Sequence, residues 1–106
     1  MNGWLLVLLA GALEIVWAAA LKASDGFQRP VPAVLGVACA ALSLFLLSLA
    51  LRSIPVSVAY AIWVAIGTAG VAIYGMAVLH EPISLVKIAS LVLVGIGAVG
   101  LVAGDA

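Results

Sequence analysis

A single carboxylate stands in the middle of the first long apolar stretch of this chain. Glu14 is the one charged side chain in residues 3–21. An ionisable group at that depth in a membrane costs at least about 2.5–3.5 kcal/mol, so such residues usually have a function. No basic residue is placed to neutralise it permanently, since Lys22 lies about 12 Å further along a helix. Glu14 can therefore exchange a proton for a cation; the alternative is a protonated carboxyl that only joins helices.

Aromatic, hydroxyl and small side chains are spaced so that they can accompany Glu14. Trp17 lies one helical turn further on, where an indole can orient a carboxylate, line a planar cation or simply fill space. Tyr60 and Trp63 begin a three-four spacing that continues through glycines, which favours a wall lining a cation site over a packing seam. Ser43 is a polar side chain deep in the second stretch, although its hydroxyl could instead bond to its own helix.

Small residues suggest contacts between helices. Gly11 lies on the Glu14 side of its helix and lets a neighbouring helix approach closely. Gly67 and Gly70 are where a bend in the third stretch would cost least. In the fourth stretch we predict a dimer-packing face, formed by Ser90, Gly97, Gly100 and Gly104.

The elements that must position these residues are four membrane helices. The chain has 106 residues, of which 68% are hydrophobic and 8% charged, and this excludes a soluble monomer. Membrane helices need about 20 mostly apolar residues. Four such stretches, at 3–21, 31–51, 54–79 and 83–104, predict a single all-α domain that crosses the membrane four times. The third stretch, at 26 residues or about 39 Å, is longer than the hydrocarbon core of about 30 Å and must tilt or bend.

The sequence lacks the residues that several classes of function require. The net charge is zero and no basic patch exists, so nucleic-acid binding is not expected. One cysteine excludes an intramolecular disulfide and a Cys-rich zinc site. His80 and Glu81 have no further ligands clustered near them, and we predict that they are solvated loop residues. No enzymatic motif, metal site or cofactor site is recognisable.

The loops have few basic residues, and three of the four lie on one side of the membrane. Lys22, Arg29 and Lys87 lie on the side of loops one and three, and Arg52 lies on the other. This bias favours loops one and three in the cytoplasm only weakly, so the chain could insert in both orientations. One chain can cover only part of Glu14, and many transporters enclose a midplane site between inverted repeats. We therefore predict an antiparallel dimer.

The motifs together resemble the small multidrug resistance family along the whole chain. The matching segments are Gly11-Ala-Leu-Glu14-Ile-Val-Trp17-Ala, Leu21-Lys22, Gly26-Phe27, Ile54-Pro55, Ala59-Tyr60-Ala61-Ile62-Trp63, Ile66-Gly67 and His80-Glu81-Pro82. The resemblance implies a proton-coupled exporter in the bacterial cytoplasmic membrane that works as a dimer, typically an antiparallel homodimer. It also implies that Glu14 binds protons and substrate in competition.

Within the family, the segment from Glu14 to Trp17 is similar to that of guanidinium exporters. Exporters of large quaternary or polyaromatic cations usually have glycine at the position of Trp17. The resemblance implies that Gly11 packs beside the glutamate and that Tyr60, Trp63 and Ser43 line its site. The chain departs from the subtype's usual residues at Ser57-Val58, Val64-Ala65 and Val102.

The predicted partners are a guanidinium-type cation, protons, the lipid bilayer and a second copy of the chain, with a paralogue as the alternative to that copy. Two other functions stay open: an exporter of larger hydrophobic cations, and a membrane assembly subunit that transports nothing. Trp17 favours the small cation because it narrows the space beside Glu14.

Overall fold

The structure is a computed structural model, and it describes residues 2–105. Within that range it consists of four helices joined by short loops, with no strand: α1 (Gly3–Ala23), α2 (Pro30–Ala50), α3 (Val56–Ala77) and α4 (Leu85–Asp105). Each helix is long and apolar enough to cross a membrane. The predicted all-α, four-span fold is confirmed.

Local sequence sets the helix ends. The side-chain oxygen of Asn2 accepts a 2.7 Å hydrogen bond from the backbone N–H of Trp4, which satisfies a donor that the first turn of α1 leaves free. α2 begins at Pro30, whose missing N–H has no consequence in a first turn. Pro55 immediately precedes α3. The observed ends of α1, α2 and α4 lie within two residues of the predicted ones.

The third helix is shorter than predicted. α3 has 22 residues, and at about 1.5 Å per residue it is roughly 33 Å long. The predicted range 54–79 included residues of loops two and three, which are apolar but not helical. The length of α3 therefore does not require a bend, and bending at Gly67 or Gly70 stays a prediction.

Loop one is a tight turn held by one buried side chain. The Ser24 hydroxyl donates to the carbonyl oxygen of Leu21 at 2.7 Å and accepts from the backbone N–H of Phe27 at 3.2 Å. Three consecutive residues, Asp25, Gly26 and Phe27, have left-handed backbone conformations. The loop thus reverses the chain within residues 24–29.

The helices form a flat layer with α4 at its edge. α1 packs against α2 and α3, and α3 packs against α4. The Cα atoms extend over 44 × 34 × 17 Å, so the layer is about two helices thick, because the Cα atoms of one helix span about 4.6 Å and packed helix axes lie about 8–10 Å apart. α4 buries Ala98 and leaves most of its apolar side chains exposed.

The largest group of buried apolar residues lies near loop two. We call this group the loop-two core, and it consists of Leu6, Val7, Ala10, Leu47, Ala50, Ile54, Val58, Ala59 and Trp63. These residues come from the first halves of α1 and α3, the second half of α2, and loop two itself. The halves of the helices nearer to loops one and three have no comparable cluster in the described chain.

Candidate functional site

Glu14 and Trp17 line one open groove between α1 and α3. We call it the Glu14 groove, and its volume is about 410 Å³. Its lining residues are Glu14, Trp17, Ala18, Gly67, Thr68, Val71, Ala72 and Glu81. The groove combines apolar walls with two carboxylates, which suits a small cation better than an anion.

Two side chains that line this groove each have a buried polar atom without a protein partner in the described chain. Glu14 Oε2 and Trp17 Nε1 form no hydrogen bond within residues 2–105. Buried polar atoms are usually satisfied, because leaving one unpaired costs about 1–3 kcal/mol. The carboxylate oxygen can accept from a cation that carries N–H groups. The indole N–H is a donor only, so its partner would be the carboxylate or water, while its ring face could contact the cation.

Glycines bring α1 and α3 close together around Glu14. A β-carbon at Gly67 would overlap the Glu14 carboxylate, and one at Gly70 would meet the end of the Ile15 side chain. A β-carbon at Gly11 would lie 2.8 Å from Cγ2 of Ile66. These positions therefore admit helix contacts that a larger residue would prevent.

The other predicted polar residues form a separate hydrogen-bonded cluster. The Trp63 Nε1–H donates to the Ser43 hydroxyl at 3.0 Å, and that hydroxyl donates to the carbonyl oxygen of Ala10 at 2.7 Å. Ser43 is fully buried, and its bond crosses to α1 rather than staying within α2. The Tyr60 ring meets Trp63 edge to face, with centroids 5.3 Å apart, and is half exposed. This Ser43–Trp63 cluster ties α1, α2 and α3 together.

The Ser43–Trp63 cluster lies one helical turn below the Glu14 groove. Ala10 precedes Glu14 by four residues on α1, and Trp63 precedes Gly67 by four residues on α3, which is about 6 Å along each axis. Of the predicted site residues, the described chain therefore brings Glu14 and Trp17 together in the groove. It places Ser43, Tyr60 and Trp63 in the adjacent layer, outside the groove lining.

Two polar residues of the groove, Glu81 and Thr68, are not among the predicted site residues. Glu81, predicted to be a solvated loop residue, is exposed but lines the groove. Thr68 also lines it, and its four-residue spacing to Ala72 could have placed both on one face of α3. The segment His80-Glu81-Pro82 carries part of the family resemblance but does not by itself place Glu81 in the groove, because that approach depends on the fold of loop three.

The predicted dimer-packing residues of α4 lie in open space. Around Gly97, Gly100 and Gly104, a β-carbon would meet nothing within 4 Å in the described chain. The Ser90 hydroxyl donates to the carbonyl oxygen of Val86 at 2.7 Å, within its own helix. This face is free to pack against another helix, and its use in a dimer stays a prediction.

Comparison with known proteins gives consistent matches along the chain. The family described as Small Multidrug Resistance protein matches residues 2–94. A protein named guanidinium exporter from Yersinia pseudotuberculosis is 44% identical over 98 residues, which cover 92% of this chain and 94% of the relative. Guanidinium exporters from Escherichia coli K12 and Salmonella typhimurium are each 43% identical, over 92% of this chain and 93% of the relative.

These matches agree with the fold. Four helices of membrane-spanning length, with bacterial relatives aligned over almost the whole chain, make this a multi-pass protein of the bacterial inner membrane. The chain belongs to the small multidrug resistance family.

Proposed function

We propose that this chain exports small guanidinium-type cations in exchange for protons, and that cation and proton compete for Glu14. The observation that carries this proposal is that two side chains lining one groove, Glu14 and Trp17, each have a buried polar atom without a protein partner in the described chain. The relatives named guanidinium exporter support the choice of cation. The protein is accordingly a transporter rather than an enzyme.

The chemistry of the groove suits a planar cation that carries several N–H groups. A guanidinium ion can donate two parallel hydrogen bonds to one carboxylate, a geometry that is both strong and directional. The Trp17 indole lines the same groove, and the face of an aromatic ring attracts cations. Protonation of Glu14 removes the charge that holds the cation, so one carboxylate cannot hold both. Because proton and cation exclude each other at Glu14, export of the cation is coupled to import of the proton.

The two alternative functions fit the groove less well. A larger hydrophobic cation would need the space beside Glu14 that the Trp17 indole borders. A purely structural Glu14 would be expected to bond a neighbouring helix, as the Ser43 hydroxyl does with Ala10. Glu14 Oε2 instead has no protein partner in the described chain.

We further propose that the working unit is an antiparallel pair of chains. The exposed glycine face of α4 and the open side of the Glu14 groove are surfaces that a second copy could cover. A cysteine placed in loop one, in a Cys39→Ala background, should react with impermeant reagent from both sides of the membrane. Labelling from one side of a protein that is fully active alone would point to a parallel pair. Labelling from one side of an inactive protein would point to a missing paralogue.

The proposed transport is tested with purified protein in liposomes. An imposed proton gradient should drive uptake of guanidinium in preference to bulky quaternary ammonium ions. Glu14→Gln should abolish coupled transport and leave a folded protein, because the amide has a similar shape but cannot exchange a proton. Asp105→Asn, which removes a carboxylate at the end of α4, should transport normally. Proton-driven uptake by the Glu14→Gln variant would contradict the proposal.

A further inference from the structure

Glu81 comes from loop three and reaches back along α3 to the end of the Glu14 groove. Its carboxylate lies against Gly75 so closely that a β-carbon at position 75 would overlap it. Its backbone N–H donates to the carbonyl oxygen of Gly75 at 3.0 Å. Gly75 itself is buried, although Glu81 is exposed. The carboxylate is therefore held over the helix while it keeps contact with water.

The turn of loop three directs Glu81 toward the groove. His80 has a left-handed backbone, with φ at 58°, which reverses the chain immediately before Glu81. The nearest cation along the sequence is engaged elsewhere, since the Lys87 ammonium donates to the carbonyl oxygen of Pro82 at 2.9 Å. Glu81 thus presents negative charge at an end of the groove that is open to water.

The two carboxylates of the groove are separated along α3. Glu14 contacts Gly67 and Glu81 contacts Gly75, and these glycines are eight residues, or about 12 Å, apart on the helix. Thr68, Val71 and Ala72 line the groove between them. One guanidinium ion is too small to touch both carboxylates at that separation. A cation would therefore meet them one after the other.

We propose that Glu81 is a second cation-binding residue of this transporter, at the entrance of the Glu14 groove, which a cation meets on its way to Glu14. This inference rests on the proposed function, because it assumes that the groove takes a cation. A carboxylate at the mouth of a low-dielectric groove raises the local concentration of cations and their rate of entry. In an antiparallel pair, each side of the membrane would have one such entrance.

The experiment compares Glu81→Gln with Asp25→Asn in liposomes, with guanidinium as the probe. Asp25 lies in loop one, on the same side of the membrane, and its left-handed backbone tolerates asparagine. Both variants lose one negative charge, but only Glu81 lines the groove. Glu81→Gln should raise the KM for guanidinium about three- to tenfold at low ionic strength, with little change in maximal rate. Asp25→Asn should leave both the KM and the maximal rate unchanged. Glu81→Asp retains the negative charge, so its KM should stay close to that of wild type.

The dependence of KM on ionic strength distinguishes an electrostatic role of Glu81 from a purely structural one. The screening length falls from about 30 Å at 0.01 M ionic strength to about 3 Å at 1 M. The difference in KM between wild type and Glu81→Gln should therefore shrink as ionic strength rises. Equal KM values at low salt, or equal effects of Glu81→Gln and Asp25→Asn, would overturn the proposal. Loss of maximal rate with an unchanged KM would also overturn it.

The same liposomes separate this inference from the proposed function. If wild type does not transport guanidinium, or if Glu14→Gln transports it as well as wild type does, the proposed function itself fails. If both of those results are as expected and Glu81→Gln behaves like wild type, only the role of Glu81 is wrong.

Discussion

Gly67 of α3 faces the Glu14 carboxylate of α1 so closely that no side chain fits between them. The carboxylate is thus seated against bare helix backbone, in the same groove as Trp17. Position 67 therefore controls where the charge of Glu14 can lie. With Glu14 in this position, only glycine fits at position 67, because any β-carbon there would overlap the carboxylate. This holds whatever Gly67 contributes to the flexibility of α3.

Gly67→Ala should displace the Glu14 carboxylate and reduce guanidinium transport by roughly ten- to a hundredfold, since misplacement of about 1 Å can have that effect. Alanine favours a helix over glycine by about 1 kcal/mol, so lost activity would not reflect a weaker helix. The matched control is Gly95→Ala in α4, whose β-carbon would meet nothing within 4 Å in the described chain. Initial rates of uptake into liposomes measure both. Equal rates for the two variants would show that the contact with Glu14 is unimportant.

Ser43→Ala should destabilise the protein by about 1–2 kcal/mol, because it leaves the Trp63 indole N–H without its acceptor in a buried place. Ser48→Ala is the matched control on the same helix. Its hydroxyl is exposed and donates to the carbonyl oxygen of Phe45 within α2, so the change should be within about 0.5 kcal/mol. Reversible unfolding in mixed detergent, followed by tryptophan fluorescence, gives both values. Similar stabilities of the two variants would mean that the Ser43–Trp63 cluster does not tie the helices together.

Trp17→Gly should weaken guanidinium transport and admit bulkier cations. Loss of a ring face removes about 0.5–2 kcal/mol of attraction for a cation, which corresponds to a two- to thirtyfold rise in KM. The space left by the indole should let quaternary ammonium ions approach Glu14. Trp4→Gly, at the exposed start of the same helix, controls for the glycine itself. Transport of a panel of cations by each variant is the measurement, and an unchanged preference in Trp17→Gly would reduce Trp17 to a space-filling residue.

Guanidinium affinity should fall as the pH falls. The charged carboxylate binds the cation and the protonated form does not, so below the pKa of Glu14 each pH unit should raise the apparent Kd by up to about tenfold. Above that pKa the Kd should be constant. Calorimetric titration of detergent-solubilised protein over a pH series measures this, and Asp105→Asn should show the same slope as wild type. A Kd independent of pH from acid to alkaline conditions would show that proton and cation do not compete.

The helices and the importance of Glu14 could be predicted because both are encoded locally. An apolar stretch of about 20 residues has few other stable conformations, and a charge within it is conspicuous. The ends of α3 were less predictable, since Ile54, Val78 and Leu79 are apolar enough to belong to a helix and yet lie in loops. Hydrophobicity indicates which residues can lie in a membrane. Where a helix ends depends instead on the backbone turns of the loop that follows or precedes it.

The relations between side chains from different helices could not be predicted. The Ser43 hydroxyl reaches the carbonyl oxygen of Ala10, because the register of α2 against α1 decides its partner, and its contact with a bound cation stays a prediction. Glu81 approaches the groove through the backbone turn at His80, which no pattern of residue types specifies. Both depend on how two elements are placed relative to each other.

The loop-two core has a mechanical consequence. It secures one end of α1, α2 and α3, while the ends of α1 and α2 near loop one are joined mainly by small residues such as Ala20, Ala33 and Gly36. The end that contains the loop-two core, which we call the base, should therefore be stiffer than the end near loop one, which we call the rim. Glu14 lies between the two. Backbone amides near the base should exchange with solvent deuterium more slowly than those near the rim. In an antiparallel pair, each leaflet would contain one base and one rim, so neither face of the membrane would be the rigid one.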